Sequence, residues 1–296
     1  MKAQRHPAHY PLESAPTEKR FLIGVETIRY RANTPYRHIR VALLTLLCVL
    51  LLPLASHAAI TIHCIGDSQV ASKPPEETPQ RGWGQVLDPY FISGVTVNNS
   101  AVGGRSSRSF LDEGRWDKVR ASLKTGDWLF IQFGGNDEKI KDPKRYTDPE
   151  GAYRENLMRF IREARSAGVN PVLVSNPSRR TFDEKGRLKL SFVPYVKSMK
   201  TLAAEQGVPF IDLNEKTAVI LNRDGAEGTA KYYMLDRGPK NEETRGRMDN
   251  THFTEMGAML MASLIVEEII IQKLPLAAFL RPDHAQITHK ALSDKP

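Results

Sequence analysis

Ser68 stands in "CIGDSQV" (64–70), directly after the strand-like run "AITIHCIG". A serine there ordinarily turns the chain or caps a helix. It can also attack a carbonyl, but a seryl hydroxyl is a weak nucleophile at neutral pH and needs an adjacent base to take its proton. His252, in "MDNTHF" (248–253), is the candidate base, because imidazole changes charge near neutral pH. Asp249 precedes it by three residues. On a turn entering a helix, that spacing sets a carboxylate beside the ring, where it fixes the tautomer and stabilises the cation. Acyl transfer passes through an oxyanion that needs preorganised donors. The candidates are the backbone N–H of Gly104 in "NNSAVGGRSSRS", where no Cβ crowds the approach, the Asn136 amide in "GGND", and the N–H of Ser68 itself. Singly, these motifs read as a cap, a turn, a loop and a surface histidine. In order, each at the end of a predicted element, they supply nucleophile, base, carboxylate and oxyanion hole.

The elements that must position them alternate in kind. Strand-like runs lie at 60–65, 95–100, 127–133, 171–176 and 209–213; each is β-rich and ends near Gly, Asn, Asp or Ser. Helical patterns separate them: "GWGQVLDPYF", "RWDKVRASL", "AYRENLMRFIREARSAG", "VPYVKSMKTLAAEQG" and a final "MGAMLMASLIVEEIIIQK". In the third, Leu157, Phe160, Ile161 and Ala164 recur at helical spacing. Alternation of this kind predicts an α/β fold with a mostly parallel sheet covered on both faces, doubly wound in flavodoxin-like order. Ligands then bind beyond the carboxyl ends of the strands, where these four motifs and "SNPSRR" (175–180), after the fourth strand, would converge. Two polar stretches rich in Gly, Pro and charge, 134–152 and 222–250, read as long loops belonging to a site or a lid. The domain is expected over 59–275, followed by a polar, peripheral tail over 276–296.

These motifs carry a family resemblance. "GDS", a glycine in the second block, "GGND" and "DNTH" resemble the SGNH, or GDSL, hydrolases. "RGWGQVL", "NNSAVGGRSSRSF", "QFGGND" and "DNTHF" are similar to the rhamnogalacturonan acetylesterase branch of the carbohydrate esterases, over about residues 60–272. The resemblance implies a three-layer α/β/α sandwich, with Ser68 as nucleophile, His252 as base and Asp249 as its partner. It implies Ser68, Gly104 and Asn136 as oxyanion donors, no metal or other cofactor, and hydrolysis of acetyl esters on an acetylated polysaccharide. Two positions depart from the branch. Gln69 stands where "GDST" is usual, and Gly135 where "GHND" is frequent. Neither removes a catalytic group. Gly135 would enlarge the pocket or loosen its loop; Gln69 has no explanation in the sequence.

Other residues have two readings each. Arg105, Arg108, Arg179 and Arg180 could hold uronate carboxylates bidentately, or pair with acids such as Asp112 and Glu113. Trp83 could stack on a sugar ring or anchor its segment to the core. His63, within the first strand, reads as structural. Lipase, phospholipase or thioesterase activity, acetyl transfer, and polysaccharide binding without turnover are the alternative functions. There is no G-x-S-x-G elbow and no H-E-x-x-H zinc motif.

Composition narrows the setting. Hydrophobic residues make up 41% and charged residues 26% of the 296 residues, enough for a real core. The net charge of +8 is uneven: after position 58 there remain 34 basic and 31 acidic residues. That near-balance, with no basic stripe or nucleic-acid motif, argues against a nucleic-acid partner. Residues 1–58 read as a basic extension, then the apolar "VALLTLLCVLLLPLA", then "SHAA", the order of an export signal with cleavage expected after Ala58. The alternative is an uncleaved anchor holding the domain outside the membrane. Leu47 before Cys48 is not the small residue a lipoprotein site requires. Cleavage would leave Cys64 as the sole cysteine, precluding an internal disulfide despite export.

Overall fold

The computed structural model describes residues 59–235 and 249–293. The apolar run, its expected cleavage point and residues 236–248 lie outside them. Five strands form one parallel sheet: β1 (Ile60–Gly66), β2 (Val95–Asn99), β3 (Trp128–Gln132), β4 (Asn170–Val174) and β5 (Phe210–Ile211). Their order is β2-β1-β3-β4-β5, the flavodoxin-like order expected from the alternating pattern. Every residue of β3, "WLFIQ", is buried, which is why that strand reads as an unbroken apolar run rather than an alternating one.

Successive side chains still divide between two cores. Ile62, Cys64, Phe130, Val172, Val174 and Ile211 face one layer, and Ile65, Leu129, Ile131 and Leu173 face the other. The first layer holds α5 (Leu213–Gly228) and α6 (Glu255–Ile271); α7 (His284–Ser293) packs on α6. The second holds α1 (Ser107–Asp112), α2 (Arg115–Arg120), α3 (Ala152–Ser166) and α4 (Val193–Gln206). Together they make the three-layer α/β/α sandwich. Among the described residues, no helix is long and apolar enough to cross a membrane.

Four segments differ from the sequence reading, each for a local reason. "GWGQVLDPYF" is not a helix but two 3-10 turns, Trp83–Gln85 and Asp88–Tyr90. A Cβ on Gly82 would lie 2.3 Å from the carbonyl carbon of Val70, and one on Gly84 2.9 Å from its oxygen. The two glycines let the segment lie against that backbone. Residues 107–112, outside the predicted helical patterns, form α1, started by a capping box between Ser106 and Ser109. The polar stretch from 222 begins inside α5, which continues to Gly228 across a break at Gly225 (φ +65°). The supposed peripheral tail is part of the domain. Pro275–Phe279 is a 3-10 turn with Leu276 fully buried, Arg281 N–H donates to the Tyr90 carbonyl, and Tyr90 Oη lies 3.2 Å from Thr288 Oγ1.

Candidate active site

β1 ends at Gly66, where a Cβ would stand 2.6 Å from the Gln132 carbonyl oxygen of β3. Only glycine lets the chain leave the sheet there. The next residues close a turn in which the Val70 and Ala71 N–H groups both donate to the Asp67 carbonyl, and Ser68 sits within it. His252 lies just before α6, whose cap Thr254 accepts from Gly257 N–H. The two loops meet at the carboxyl end of β1. Ser68 Oγ is 2.7 Å from His252 Nε2, and His252 Nδ1 is 2.8 Å from Asp249 Oδ2. The other carboxylate oxygen, Oδ1, accepts the N–H groups of Thr251 (3.0 Å) and His252 (3.1 Å). The three-residue spacing therefore folds into a turn that presents one oxygen to the ring. Burial would raise the Asp249 pKa, but the hydrogen bond and charge of His252 and the two backbone donors outweigh it and hold the carboxyl well below the usual carboxylate range.

The expected oxyanion donors line the same place. Gly104 adopts φ +79°, a conformation that favours glycine. A Cβ on Gly103 would lie 3.5 Å from Ser68 Cβ, so this turn abuts the serine. Asn136 is buried, and its Nδ2 donates to the Arg105 carbonyl at 3.2 Å, tying the loop after β3 to the loop after β2. Among the described residues, neither the Ser68 nor the Gly104 N–H has a protein acceptor, so both can donate to a ligand.

Asp137, beside Asn136, is a residue that sequence reasoning passed over. Its carboxylate accepts from Ser107 Oγ (2.5 Å), Thr147 Oγ1 (2.8 Å), Ser107 N–H (3.0 Å) and Gly134 N–H (3.0 Å). It thereby joins α1 and the 134–152 loop under Asn136. Burial, opposed by these donors, pushes its pKa up to about 6. The folded protein thus holds this proton more tightly than the unfolded chain, whose carboxyl titrates near 4. The associated stability is complete below that value and is lost as pH rises through about 6. Asp137→Asn is expected to remove this component, so the urea midpoint of the variant should vary less than that of the native chain between pH 4 and pH 7.

The arginines and Trp83 divide. Trp83 does not reach the rim. It is fully buried, its Nε1 donates to Gln132 Oε1 at 2.8 Å, and it meets the Phe130 ring edge-on. It anchors the segment to the core and cannot stack on a sugar. Arg180 is likewise withdrawn: its guanidinium bonds the Ala226 carbonyl and, at 3.1 Å, Asn250 Oδ1, fixing the loop that carries Asp249 and His252. Arg105 pairs with Glu113 at 3.1 Å and donates to the Gly103 carbonyl, bracing the oxyanion turn. Arg179 pairs with Glu138 at 2.5 Å and lies over the Phe192 ring. Arg108 is half-buried, and its Nε has no partner among the described residues.

Two further cations lie at the site. A Cβ on Gly103 would be 3.4 Å from Lys73 Nζ, so this ammonium shares one side of the turn with Ser68. Arg145 Nη1 is 3.4 Å from Asn136 Oδ1. No motif marks either; Lys73 lies in an irregular loop and Arg145 in a charged one. Among the described residues, no cluster of His, Cys, Asp and Glu is placed to hold a metal ion.

A hydroxyl, an imidazole and a carboxylate in series, with N–H donors beside the hydroxyl, is the arrangement of a serine hydrolase. Residues 64–260 match the sequence profile of the GDSL-like Lipase/Acylhydrolase family. The chain belongs to that family and is a carboxylic ester hydrolase. It is 41% identical over 220 residues to the rhamnogalacturonan acetylesterase RhgT of Bacillus subtilis, covering 73% of this chain and 92% of that one. It is 30% identical to a rhamnogalacturonan acetylesterase of Emericella nidulans, covering 64% of this chain and 82% of that one. Among solved structures, Bacillus subtilis protein YxiM superposes with a TM-score of 0.61 at 27% identity, over 73% of this chain and 57% of that one. The acetylxylan esterase Axe2 of Geobacillus stearothermophilus shares the fold at 16% identity, with a TM-score of 0.51, over 72% of this chain and 94% of that one.

Proposed function

We propose that this esterase removes O-acetyl groups from a pectin-type, rhamnogalacturonan-like polysaccharide through an acetyl-enzyme on Ser68. The observation that carries the mechanism is the 2.7 Å contact between Ser68 Oγ and His252 Nε2. With Nδ1–H donating to ionised Asp249, Nε2 is the ring's acceptor and takes the seryl proton as Oγ attacks the acetyl carbonyl. The oxyanion receives the N–H groups of Ser68 and Gly104 and the Asn136 amide. Collapse breaks the bond to the sugar oxygen, which leaves as a hydroxyl with the proton from Nε2. Water then gives a proton to the same nitrogen as it attacks the acetyl carbon; collapse breaks the bond to Ser68 Oγ, which takes that proton back from Nε2, and acetate departs.

Identity to the rhamnogalacturonan acetylesterases supports the substrate class. So does a nearby charge: Lys73 Nζ lies on the side of the Gly103 turn that Ser68 shares, a setting that favours an acidic glycan over a neutral lipid chain. The apolar run ahead of the domain supports action outside the cytoplasm. The test is acetate release from acetylated pectin, acetylated xylan and acetylated peptidoglycan, alongside acetyl and octanoyl nitrophenyl esters. Acetylated pectin should be deacetylated fastest, and the acetyl ester should turn over faster than the octanoyl one. Preference for octanoyl would overturn the acetylesterase reading, and preference for xylan or peptidoglycan would overturn the pectin assignment.

A further inference from the structure

We infer that Gln69 is a positioning residue for His252, and that Gly135 leaves the room its placement requires; the inference rests on Ser68 and His252 acting as proposed above. The two positions at which the chain departs from its relatives then have one physical cause.

Gln69 follows Ser68, and Thr251 precedes His252. Gln69 Nε2 donates to the Thr251 carbonyl at 3.1 Å, beside the 2.7 Å contact of Ser68 with His252. The serine turn and the histidine loop are therefore joined twice, by neighbouring residues on each. The glutamine is itself fixed on every side. It is 2% exposed, its N–H donates to Asp67 Oδ1 at 2.9 Å, and its carbonyl accepts from Trp83 N–H at 2.9 Å. Its side-chain oxygen accepts from Asn176 Nδ2 at 2.9 Å, and the same amide donates to Asp67 Oδ2 at 3.1 Å. Asn176 is held in turn through its carbonyl, which accepts from Asn214 Nδ2 of α5. A primary amide is needed at 69, since one end must accept from Asn176 while the other donates to Thr251. A threonine hydroxyl at Cβ lacks that reach.

Gly135 lies against this network. A Cβ there would stand 2.8 Å from Asp67 Oδ2 and 3.2 Å from Asn176 Nδ2. Any side chain would press on the pair that orients Gln69. Gly134 is constrained similarly, at φ +133° with its Cβ position 2.8 Å from Asn176 Oδ1. Arg180 holds Asn250 from the other flank of the histidine loop. Gln69 thus holds the carbonyl of the peptide immediately before the ring, while Asp249 Oδ1 holds its N–H, and a displaced base is costly, because misplacement by about 1 Å can reduce the rate ~100-fold.

The test compares Gln69→Met, Gln69→Glu, Gly135→Ala and the Gln69→Met/Gly135→Ala double variant, with Ser68→Ala alongside. On nitrophenyl acetate, Gln69→Met should lower kcat by roughly 10- to 100-fold while KM and the thermal midpoint stay near wild type. Gln69→Glu, assayed at a pH where its carboxyl is ionised, keeps the bond to Asn176 but cannot donate to Thr251, so it should lose kcat likewise; it decides the matter if Gln69→Met does not fold. Gly135→Ala should share the defect, and the double variant should be no worse than Gln69→Met alone, as expected for one network. Wild-type kcat in Gln69→Met or Gln69→Glu, or losses that multiply in the double variant, would overturn the inference. Activity retained by Ser68→Ala would instead overturn the nucleophile assignment, whereas an inactive Ser68→Ala with an unimpaired Gln69→Met would overturn only the tie.

Discussion

Ser68→Ala should lower kcat by about a million-fold, the order seen when a serine hydrolase loses its nucleophile, while the protein stays folded. Oγ makes a single side-chain contact, the one to His252, and the site is half-open to solvent. Its loss removes about 1 kcal/mol of hydrogen bonding from a domain whose net stability is on the order of 5–15 kcal/mol. The proposed oxyanion donors Gly104 and Asn136 are untouched, so hydrolysis about a thousand-fold or more above the uncatalysed rate should persist. Acetate release and a thermal unfolding curve on the same preparation check both parts. Activity near that of the native enzyme, in a folded variant, would mean that Ser68 is not the nucleophile.

Asp249→Asn should cost about ten-thousand-fold in kcat, through the tautomer rather than through lost charge alone. In the native site Oδ1 is committed to the Thr251 and His252 N–H groups, so an asparagine must keep its oxygen there. Its NH2 then faces Nδ1, which can only accept. The ring proton moves to Nε2 and points at Ser68 Oγ, so the base is protonated where it should receive. The signature is a large fall in kcat with KM little changed. A mild loss would show that the histidine takes its working tautomer without Asp249.

The strands and the motifs that meet at the candidate site were legible in the sequence because both depend on local signals. β1, β3 and β4 are buried on both faces and read as short apolar runs closed by Gly, Asn or Ser. Ser68, Gly104, Asn136 and the Asp249–His252 pair each sit in a distinctive motif. What was missed depends on partners distant in the chain. Trp83 is consumed by Gln132 on β3, and Arg180 by Ala226 and Asn250; no property of "RGWGQ" or "SNPSRR" shows this. Gln69 was noticed only as an oddity, since its partners Asn176 and Thr251 lie 107 and 182 residues away. α5 is absent from the helical patterns of the sequence, and its second half reads as loop because Gly225, a helix-breaking residue, stands within it. Residues 276–296 read as a tail because one buried side chain, Leu276, and a few hydrogen bonds are enough to dock them.

Ser68 and His252 are 184 residues apart, with the histidine just ahead of α6. If the two act as proposed, a chain in which α6 has not yet docked holds the serine and the loops that would stabilise the oxyanion, yet lacks the group that would take the seryl proton. On that reading Ser68 stays disarmed until α6 docks on the sheet, and activity reports that folding has finished, not that it has begun.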